Sequence, residues 1–250
     1  MLKGDHAAAV SKSMATGIIL ASILIPLQIY VGHEHGIHTR TYQPEKIAAI
    51  EAAWETKKGA PLILFSVPDE TARHNNYEVK IPYLGSLIVT HQLDGELKGL
   101  NDFAHHPPVK PLFFGFRVMV GLGMLMMAIS WFGLYHIIKK SPLPRYYQYA
   151  TVIMTFSGVI ATVSGWYVTE IGRQPWLVHG VMMSKDALGP VTAAMVLPTL
   201  LTFLATYAFL TVAYVFTLFH LARKAGQPKQ VTERKQIQST LIPLQGEIIT

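Results

Sequence analysis

Residues 165–176 read Gly-Trp-Tyr-Val-Thr-Glu-Ile-Gly-Arg-Gln-Pro-Trp, and they close an uncharged run that begins near Tyr146. Trp166, Glu170 and Arg173 recur at i, i+4 and i+7, so an α-helix would place them on one face. The glycine and proline around the arginine predict that the helix ends there. A tryptophan belt with a snorkelling arginine is common at a membrane boundary. It does not account for Glu170, because a carboxylate at that depth is costly and marks a functional candidate.

Four apolar runs are long enough to cross a bilayer, since about 20 helical residues span its hydrocarbon core. They are Ala15–Gly32, Leu112–Ile138, Tyr146–Thr169 and Ala187–Ala222. The last run is over-long, and Gly189-Pro190 and Pro198 within it predict a re-entrant or interfacial start. The chain has no cysteine, so a disulfide framework and a thiolate metal site are both excluded. A metal would be held by histidine, methionine or carboxylate, or would arrive inside a porphyrin.

The net charge of +6 is distributed unevenly along the chain. Ten basic residues flank helix ends that alternate to one side, namely Lys3, Lys12, Lys139, Lys140, Arg145, Arg223, Lys224, Lys229, Arg234 and Lys235. This positive-inside pattern places both termini and the 139–145 turn in the cytoplasm, and residues 33–110 outside. The charge therefore indicates topology, and no nucleic-acid partner is expected. We expect an all-α membrane protein with about four transmembrane helices and a large extracytoplasmic loop between helices one and two.

These patterns divide the chain into four parts. The predicted parts are a cytoplasmic lead with helix one (1–32), a periplasmic loop (33–110), helices two to four (111–226) and a cytoplasmic tail (227–250). Within the loop we predict a helix over Pro44–Lys57 and short extended pieces at Leu62–Val67 and Tyr77–Val79.

A second unusual segment, residues 113–123, places Arg117 and Met119 in the first turns of helix two. A methionine in a membrane helix is usually core packing, although a thioether is also a recognised axial ligand of haem iron. A guanidinium at that depth needs an anion or a carbonyl partner, and a haem propionate would supply the anion. Both residues lie toward the outer face, as Glu170 does. The unusual residues therefore converge on the outer leaflet, beneath the loop.

A third segment, residues 42–55, reads as a solvated amphipathic helix with i, i+4 charge pairs. Lys46 and Glu51 lie about 140° apart on an ideal helix, so one of them is expected to act structurally. Glu170 also has a simple alternative role, because an i, i+3 ion pair with Arg173 is common.

The three segments together resemble subunit I of the cytochrome bd-type quinol oxidases. In the loop, the resemblance implies that Gln43, Lys46 and Glu51 bind quinol. It further implies that Lys46 and Glu51 take part in quinol oxidation. A carboxylate can accept one of the protons that quinol loses, and a lysine or glutamine can hydrogen-bond a quinone oxygen.

For the helices, the resemblance implies a set of haem contacts. Met119 would be the sixth ligand of a low-spin haem b, and Arg117 would stabilise that haem electrostatically. Glu170 would ligate a high-spin haem b, with Arg173 beside the haem cluster and Trp166 on or near a porphyrin face. A third haem, d or b, would complete the set.

The chain also departs from the family pattern. The family's two histidine haem ligands lie in N-terminal helices that have no counterpart here, so we expect the C-terminal half of a subunit I. Neither His136 nor His220 lies near the Met119 level, and the remaining histidines fall in loops. The insert before helix two is short and resembles the short-loop, cyanide-insensitive type. His33 stands where the family usually has an aspartate.

The resemblance implies part of a terminal oxidase that oxidises ubiquinol or menaquinol at the outer face and reduces O2 to water through haems. Such an enzyme generates membrane potential without pumping. Expected partners are oxidase subunit II, an N-terminal half of subunit I and membrane lipid, in the bacterial cytoplasmic (inner) membrane. The chain alone is expected to be inactive. The alternative is a non-catalytic half-subunit or quinone-binding membrane module whose partner chain supplies the histidine haem ligands; a transporter fragment is disfavoured because no internal repeat is present.

Overall fold

The computed structural model describes residues 8–189 and 192–226. It divides into two compact units, and the division falls between Ala187 and Leu188. The first unit holds three membrane-length helical segments and the loop between the first two, and the second unit is one long helix. The predicted leader before residue 8, the 227–250 tail and Pro190 lie outside the described residues.

Four helical segments are long and apolar enough to span a membrane, as predicted. The helices of the first unit are α1 (Ala8–Tyr42), α2 (Pro44–Glu51), α3 (Leu84–Thr90), α4 (Val109–Ile138), α5 (Arg145–Ile153) and α6 (Ser157–Ile171). A 3-10 turn at Met154–Phe156 joins α5 to α6, so that the two form one span. The second unit is α7 (Ala193–Gly226).

The predicted end of helix one differs from the structure. Helix α1 continues to Tyr42, ten residues beyond the predicted end at Gly32. Residues 33–42 contain no proline, and the Thr39 hydroxyl donates to the His35 carbonyl at 2.8 Å, so a polar helix extends past the apolar run. In α7, Pro198 lies inside a helix that begins at Ala193. The re-entrant or interfacial start predicted for this span includes residues 190 and 191, which lie outside the described residues, and it stays a prediction.

The loop contains a β-hairpin that the sequence showed only as two short extended pieces. Strands β2 (Leu62–Asp69) and β3 (His74–Ile81) pair antiparallel, from Leu62 opposite Ile81 to Asp69 opposite His74. A two-stranded sheet has only edge strands, so Pro68 is tolerated within β2. Four shorter pieces complete the loop, namely α3, the paired strands β1 (Lys57–Lys58) and β4 (Glu96–Leu97), and a 3-10 turn at Leu100–Asp102. Helix α3 was not predicted.

Helix α2 ends at Glu51, six residues before the predicted end at Lys57. Ala52 adopts the left-handed conformation, with φ at 49°. The hairpin holds the chain in this bend, because the Asn75 amide donates to the Ala52 carbonyl and accepts from the Trp54 indole, both at 2.9 Å. Tertiary hydrogen bonds therefore override the helix propensity of residues 52–57.

The buried core joins the loop to the N-terminal end of α4. Its most enclosed side chains come from α2, the loop and the first turns of α4, namely Ala48, Ala49, Leu100, Val109, Leu112 and Phe113. Helix α4 packs against both α1 and α6, and Gly115 lies against Val168 in the second of these contacts. The Glu70 carboxylate caps α4 by accepting the amide hydrogens of Val109 and Lys110, each at 3.1 Å. The loop is thus anchored on the membrane helix that carries Arg117 and Met119.

Candidate functional site where the loop meets the helices

Lys46 connects α2 with the end of α6. Its Nζ donates to the Thr169 carbonyl at 3.5 Å, and its side-chain carbons lie beside Gly172. Burial lowers the pKa of Lys46 from its ordinary value, while the nearby Glu170 carboxylate raises it and the Arg173 guanidinium lowers it. The structure therefore brings the predicted quinol lysine together with the two charged residues of the 165–176 segment.

Gln43 lies immediately before α2, where it is half-buried. Its backbone amide donates to the Thr39 carbonyl at 2.7 Å, and its side chain makes no capping hydrogen bond to α2. The side-chain amide is not used to cap the helix, and it stands three residues before Lys46.

Glu170 and Arg173 form an i, i+3 ion pair, which the sequence analysis gave as the alternative to a haem-binding role for Glu170. The Glu170 Oε2 and Arg173 Nη2 atoms are 2.5 Å apart, and both side chains are about half exposed. Helix α6 ends at Ile171 with Gly172 as its cap, so Arg173 lies in the turn just beyond the helix. Trp166 is 62% exposed on the same helix. Glu170 and Trp166 are thus presented on an open surface of the first unit.

Arg117 is satisfied by protein groups of the loop and its own helix. Its five N–H donors make five hydrogen bonds, to the carbonyls of Ile63 (twice), Ile50 and Phe113 and to the Glu51 carboxylate. The Arg117 Nη2 and Glu51 Oε2 atoms are 3.3 Å apart, and the guanidinium carbon lies 3.5 Å from the Phe113 ring centre. Of the two predicted kinds of partner, an anion or a carbonyl, the structure supplies both from the protein itself.

Glu51 is the buried carboxylate of this contact. Burial raises the pKa of Glu51 above its ordinary value, and the charge and hydrogen bond of Arg117 oppose that rise. The predicted divergence of Lys46 and Glu51 around α2 is therefore seen directly. Lys46 faces the end of α6, whereas Glu51 faces α4. The Glu51–Arg117 contact joins residues that are 66 apart in the chain, and no local spacing in the sequence predicts it.

Met119 is a residue of α4, and its side chain lies at the contact between α4 and α6. A Cβ placed on Gly165 would come within 2.7 Å of the Met119 sulfur, so the missing side chain at residue 165 makes the room that the thioether occupies. Gly121 and Gly123 on α4 and Gly158 on α6 have nothing within 4 Å of a built Cβ. Small residues of this kind leave open surface against which a flat ring or another helix can pack.

Two further residues were missed by the sequence analysis. Glu45 on α2 contacts His179, whose Nε2 lies 2.5 Å from the Glu45 Oε1. Their separation of 134 residues leaves no spacing signal, and His179 had been interpreted as an exposed loop residue. His179 lies in the turn of a hairpin formed by β5 (Trp176–Val178) and β6 (Met182–Met183). This hairpin directly follows the 165–176 segment.

A sequence model of the family described as cytochrome bd terminal oxidase subunit I matches residues 1–226. The chain belongs to this family. It is 30% identical over 210 residues to the cytochrome bd ubiquinol oxidase subunit 1 of Bacillus subtilis (strain 168), covering 78% of this chain and 45% of that protein. It is 30% identical over 217 residues to the putative cytochrome bd menaquinol oxidase subunit I of the same organism, covering 85% of this chain and 48% of that protein.

The fold agrees with that of a solved relative. The bd oxidase from Geobacillus thermodenitrificans superposes with a TM-score of 0.76 at 31% identity, covering 87% of this chain and 50% of that chain. The all-α membrane architecture predicted from the sequence is confirmed. The chain spans about half the length of the relatives it matches, as the sequence analysis expected.

The cytochrome bd family implies haem, and the residues present fit part of a haem site. Met119 offers a thioether beside a glycine-lined surface, and Glu170 offers a carboxylate on an open face. Within residues 8–189 and 192–226, no three histidine, cysteine, aspartate or glutamate side chains cluster as a metal site. Met119 and Glu170 are the side chains of the described residues that would hold haem, which would supply electron-transfer chemistry at this site.

Proposed function

We propose that this chain is part of a cytochrome bd-type terminal oxidase that oxidises quinol at the outer membrane face and reduces O2 to water. One observation carries the proposal. The Lys46 side chain lies against the Thr169–Arg173 end of α6, so the segment expected to hold quinol touches the segment expected to hold haem. Electron transfer from quinol requires such proximity.

In the quinol site, Gln43 and Lys46 donate hydrogen bonds to the quinol oxygens. Glu51 supports this site and can accept a proton, because its pKa is raised by burial. It acts beside Arg117, whose hydrogen bonds to Ile50 and Ile63 hold the loop on α4. Protons released at this face stay outside the membrane, which generates membrane potential without pumping.

For haem, Met119 would hold the low-spin haem b and Glu170 would hold the high-spin haem b. Trp166 would pack beside a porphyrin, and Arg173 would orient the Glu170 carboxylate through their ion pair. Arg117 acts on the low-spin haem through its charge, since its N–H donors are directed to protein groups. Bound haem iron supplies one-electron transfer and, where a coordination position is open, O2 reduction. The third haem is d or b.

The remaining parts of the enzyme come from other elements. An N-terminal half of subunit I supplies the histidine ligands, and oxidase subunit II and membrane lipid complete the complex. The complex lies in the bacterial cytoplasmic membrane with both termini of this chain in the cytoplasm, and its quinol is ubiquinol or menaquinol. Because the chain spans about half of its relatives, the second candidate is a non-catalytic half-subunit or quinone-binding module.

The test uses the complex purified from its native membranes. We expect haem absorbance and quinol-dependent O2 uptake in the unaltered complex. Lys46→Gln should lower kcat/KM for quinol about tenfold or more, the contribution of one charged hydrogen bond, with unchanged haem spectra. Lys58→Gln, at an exposed lysine of β1, is the matched control and should change neither. A colourless complex without quinol-dependent O2 uptake would establish the non-catalytic candidate instead.

A further inference from the structure

The contact between Glu45 and His179 has no role in the site described above. The Glu45 side chain is 9% exposed, whereas the His179 side chain is 39% exposed. Their 2.5 Å separation makes a hydrogen bond between a buried carboxylate and a ring that reaches solvent. A polar path therefore leads from the inner side of α2 to water.

One residue of the pair is the chain neighbour of Lys46, the residue proposed to bind quinol, and this position suits the pair to proton transfer. Glu45 precedes Lys46 on α2, and both side chains face the segment from Thr169 to His179. Quinol bound at Lys46 would therefore lie at the same Thr169–His179 segment that Glu45 contacts through His179.

The pair is held by aromatic packing. The rings of His179 and Trp176 are 5.8 Å apart, and the ring of His105 lies 6.1 Å from Trp176 in an edge-on arrangement. The charged groups around Lys46, the next residue of α2 after Glu45, are the ion-paired Glu170 and Arg173 at the end of α6. His105, from the loop before α4, is the further titratable group that packs on this hairpin.

We propose that Glu45 and His179 form the exit for one of the two protons that quinol oxidation releases. This inference rests on the proposed quinol oxidase function and deepens it. When quinol is oxidised, an O–H bond breaks and its proton passes to the Glu45–His179 pair, while bound haem would be the oxidant that takes up the electron. The pair, which shares one proton between Oε1 and Nε2, thereby gains a second. The exposed imidazole then releases one proton to water and the pair returns to its starting state.

Glu45 is assigned as the proton acceptor in preference to Glu51 because the two carboxylates have different side-chain partners. Both glutamate side chains are equally buried, at 9% exposure. Glu51 is paired with Arg117, which does not release its proton in proteins. Glu45 is paired with a histidine, the side chain that changes charge near neutral pH. Only the Glu45 side of α2 therefore has a partner that can hand a proton onward to solvent.

The experiment compares His179→Gln with His105→Gln in the purified complex, using ubiquinol-1 as the substrate and O2 uptake as the readout. Glutamine keeps a hydrogen bond to Glu45 but cannot carry a proton. We expect His179→Gln to lower kcat about tenfold or more, the lower range of general acid–base effects. We also expect it to flatten the dependence of kcat on pH near neutrality, with KM and haem spectra unchanged. His105→Gln shares the contact with Trp176 and should behave as the unaltered enzyme.

Glu45→Gln is the second variant and should reproduce both the lower kcat and the flattened pH profile. The double variant should be no slower than either single one, since the two residues act in one path. If the unaltered complex oxidises quinol and the His179→Gln complex keeps the same kcat and pH profile, the proton exit is overturned while the proposed function stands. A raised KM or lost haem in both variants would make the contact structural and also overturn it. An unaltered complex without quinol oxidation would overturn the proposed function and this inference together.

Discussion

Helix α2 makes two contacts of opposite character within eight residues. At its end, Glu51 and Arg117 form a closed contact, in which every guanidinium N–H is bonded and the Arg117 side chain is only 18% exposed. At its start, Lys46 and Glu45 face a mixed set of charged and aromatic groups that solvent reaches. The closed contact between Glu51 and Arg117 has no free N–H donor for a substrate. The open contact at Lys46 and Glu45 has polar groups that a substrate can reach.

The difference assigns stability to one contact and ligand chemistry to the other. A buried ion pair adds little net stability over apolar residues, but removal of one partner is costly because the other charge is left unpaired. At the open contact, the partly exposed Lys46 and His179 reach solvent, so changes to these two residues should alter substrate affinity and proton transfer more than stability. The predictions below separate the two contacts on this basis.

The largest effect is expected at the closed contact. Arg117→Met leaves the Glu51 carboxylate buried without its cation, which should destabilise the loop by about 3–5 kcal/mol. Thermal unfolding of the purified complex and protease cleavage within residues 52–82 would both report it. The double variant Glu51→Leu with Arg117→Met removes both charges and should recover most of the loss. Equal instability of the single and double variants would show that the carbonyl contacts of Arg117, rather than the ion pair, hold the loop.

A substitution at Met119 tests the side of α4 that faces α6. Arg117 faces the loop and Met119 faces Gly165 of α6, so their variants should fail differently. Met119→Leu should convert the low-spin haem to high-spin or lose it, and should lower turnover about tenfold or more. Loop stability should be unchanged. Met124→Leu, at an exposed methionine of α4, is the matched control. An unchanged low-spin spectrum in Met119→Leu would contradict the ligand assignment.

The sequence predicted the helical segments well and the contacts between them poorly, for a physical reason. A membrane span is a local property of about 20 apolar residues, so all four were found. The Glu51–Arg117 and Glu45–His179 contacts join residues 66 and 134 apart. Neither has a periodic signal, because they arise from the docking of the loop and the β5–β6 hairpin on α4 and α2. The early end of α2 likewise depends on Asn75, which lies in a strand pair that local propensity only suggested.

At the open contact, pH should change substrate affinity. Because burial lowers the pKa of Lys46, this residue loses its proton at a lower pH than an exposed lysine. The KM for quinol should therefore rise as pH increases through that range, by about tenfold for the loss of one charged hydrogen bond. Lys46→Arg remains charged and should keep KM constant over the same range. Lys58→Arg should leave the rise in place. A KM that rises equally in Lys46→Arg would assign the titration to another group.

The smallest effect is expected where the two helices meet at Gly165. A Cβ at this position would lie 2.7 Å from the Met119 sulfur, and the thioether ends a flexible side chain, so Gly165→Ala should displace the sulfur without unfolding α6. We expect a shift in the low-spin haem spectrum with turnover reduced less than in Met119→Leu. Gly158→Ala adds the same methyl group to the same helix with nothing within 4 Å, and it should leave the spectrum unchanged. Equal spectra in both alanine variants would show that the contact between Gly165 and the Met119 sulfur does not set the position of the ligand. Because neither variant touches the loop, a spectral shift confined to Gly165→Ala would separate the proposed haem role of α4 from its contact with Glu51.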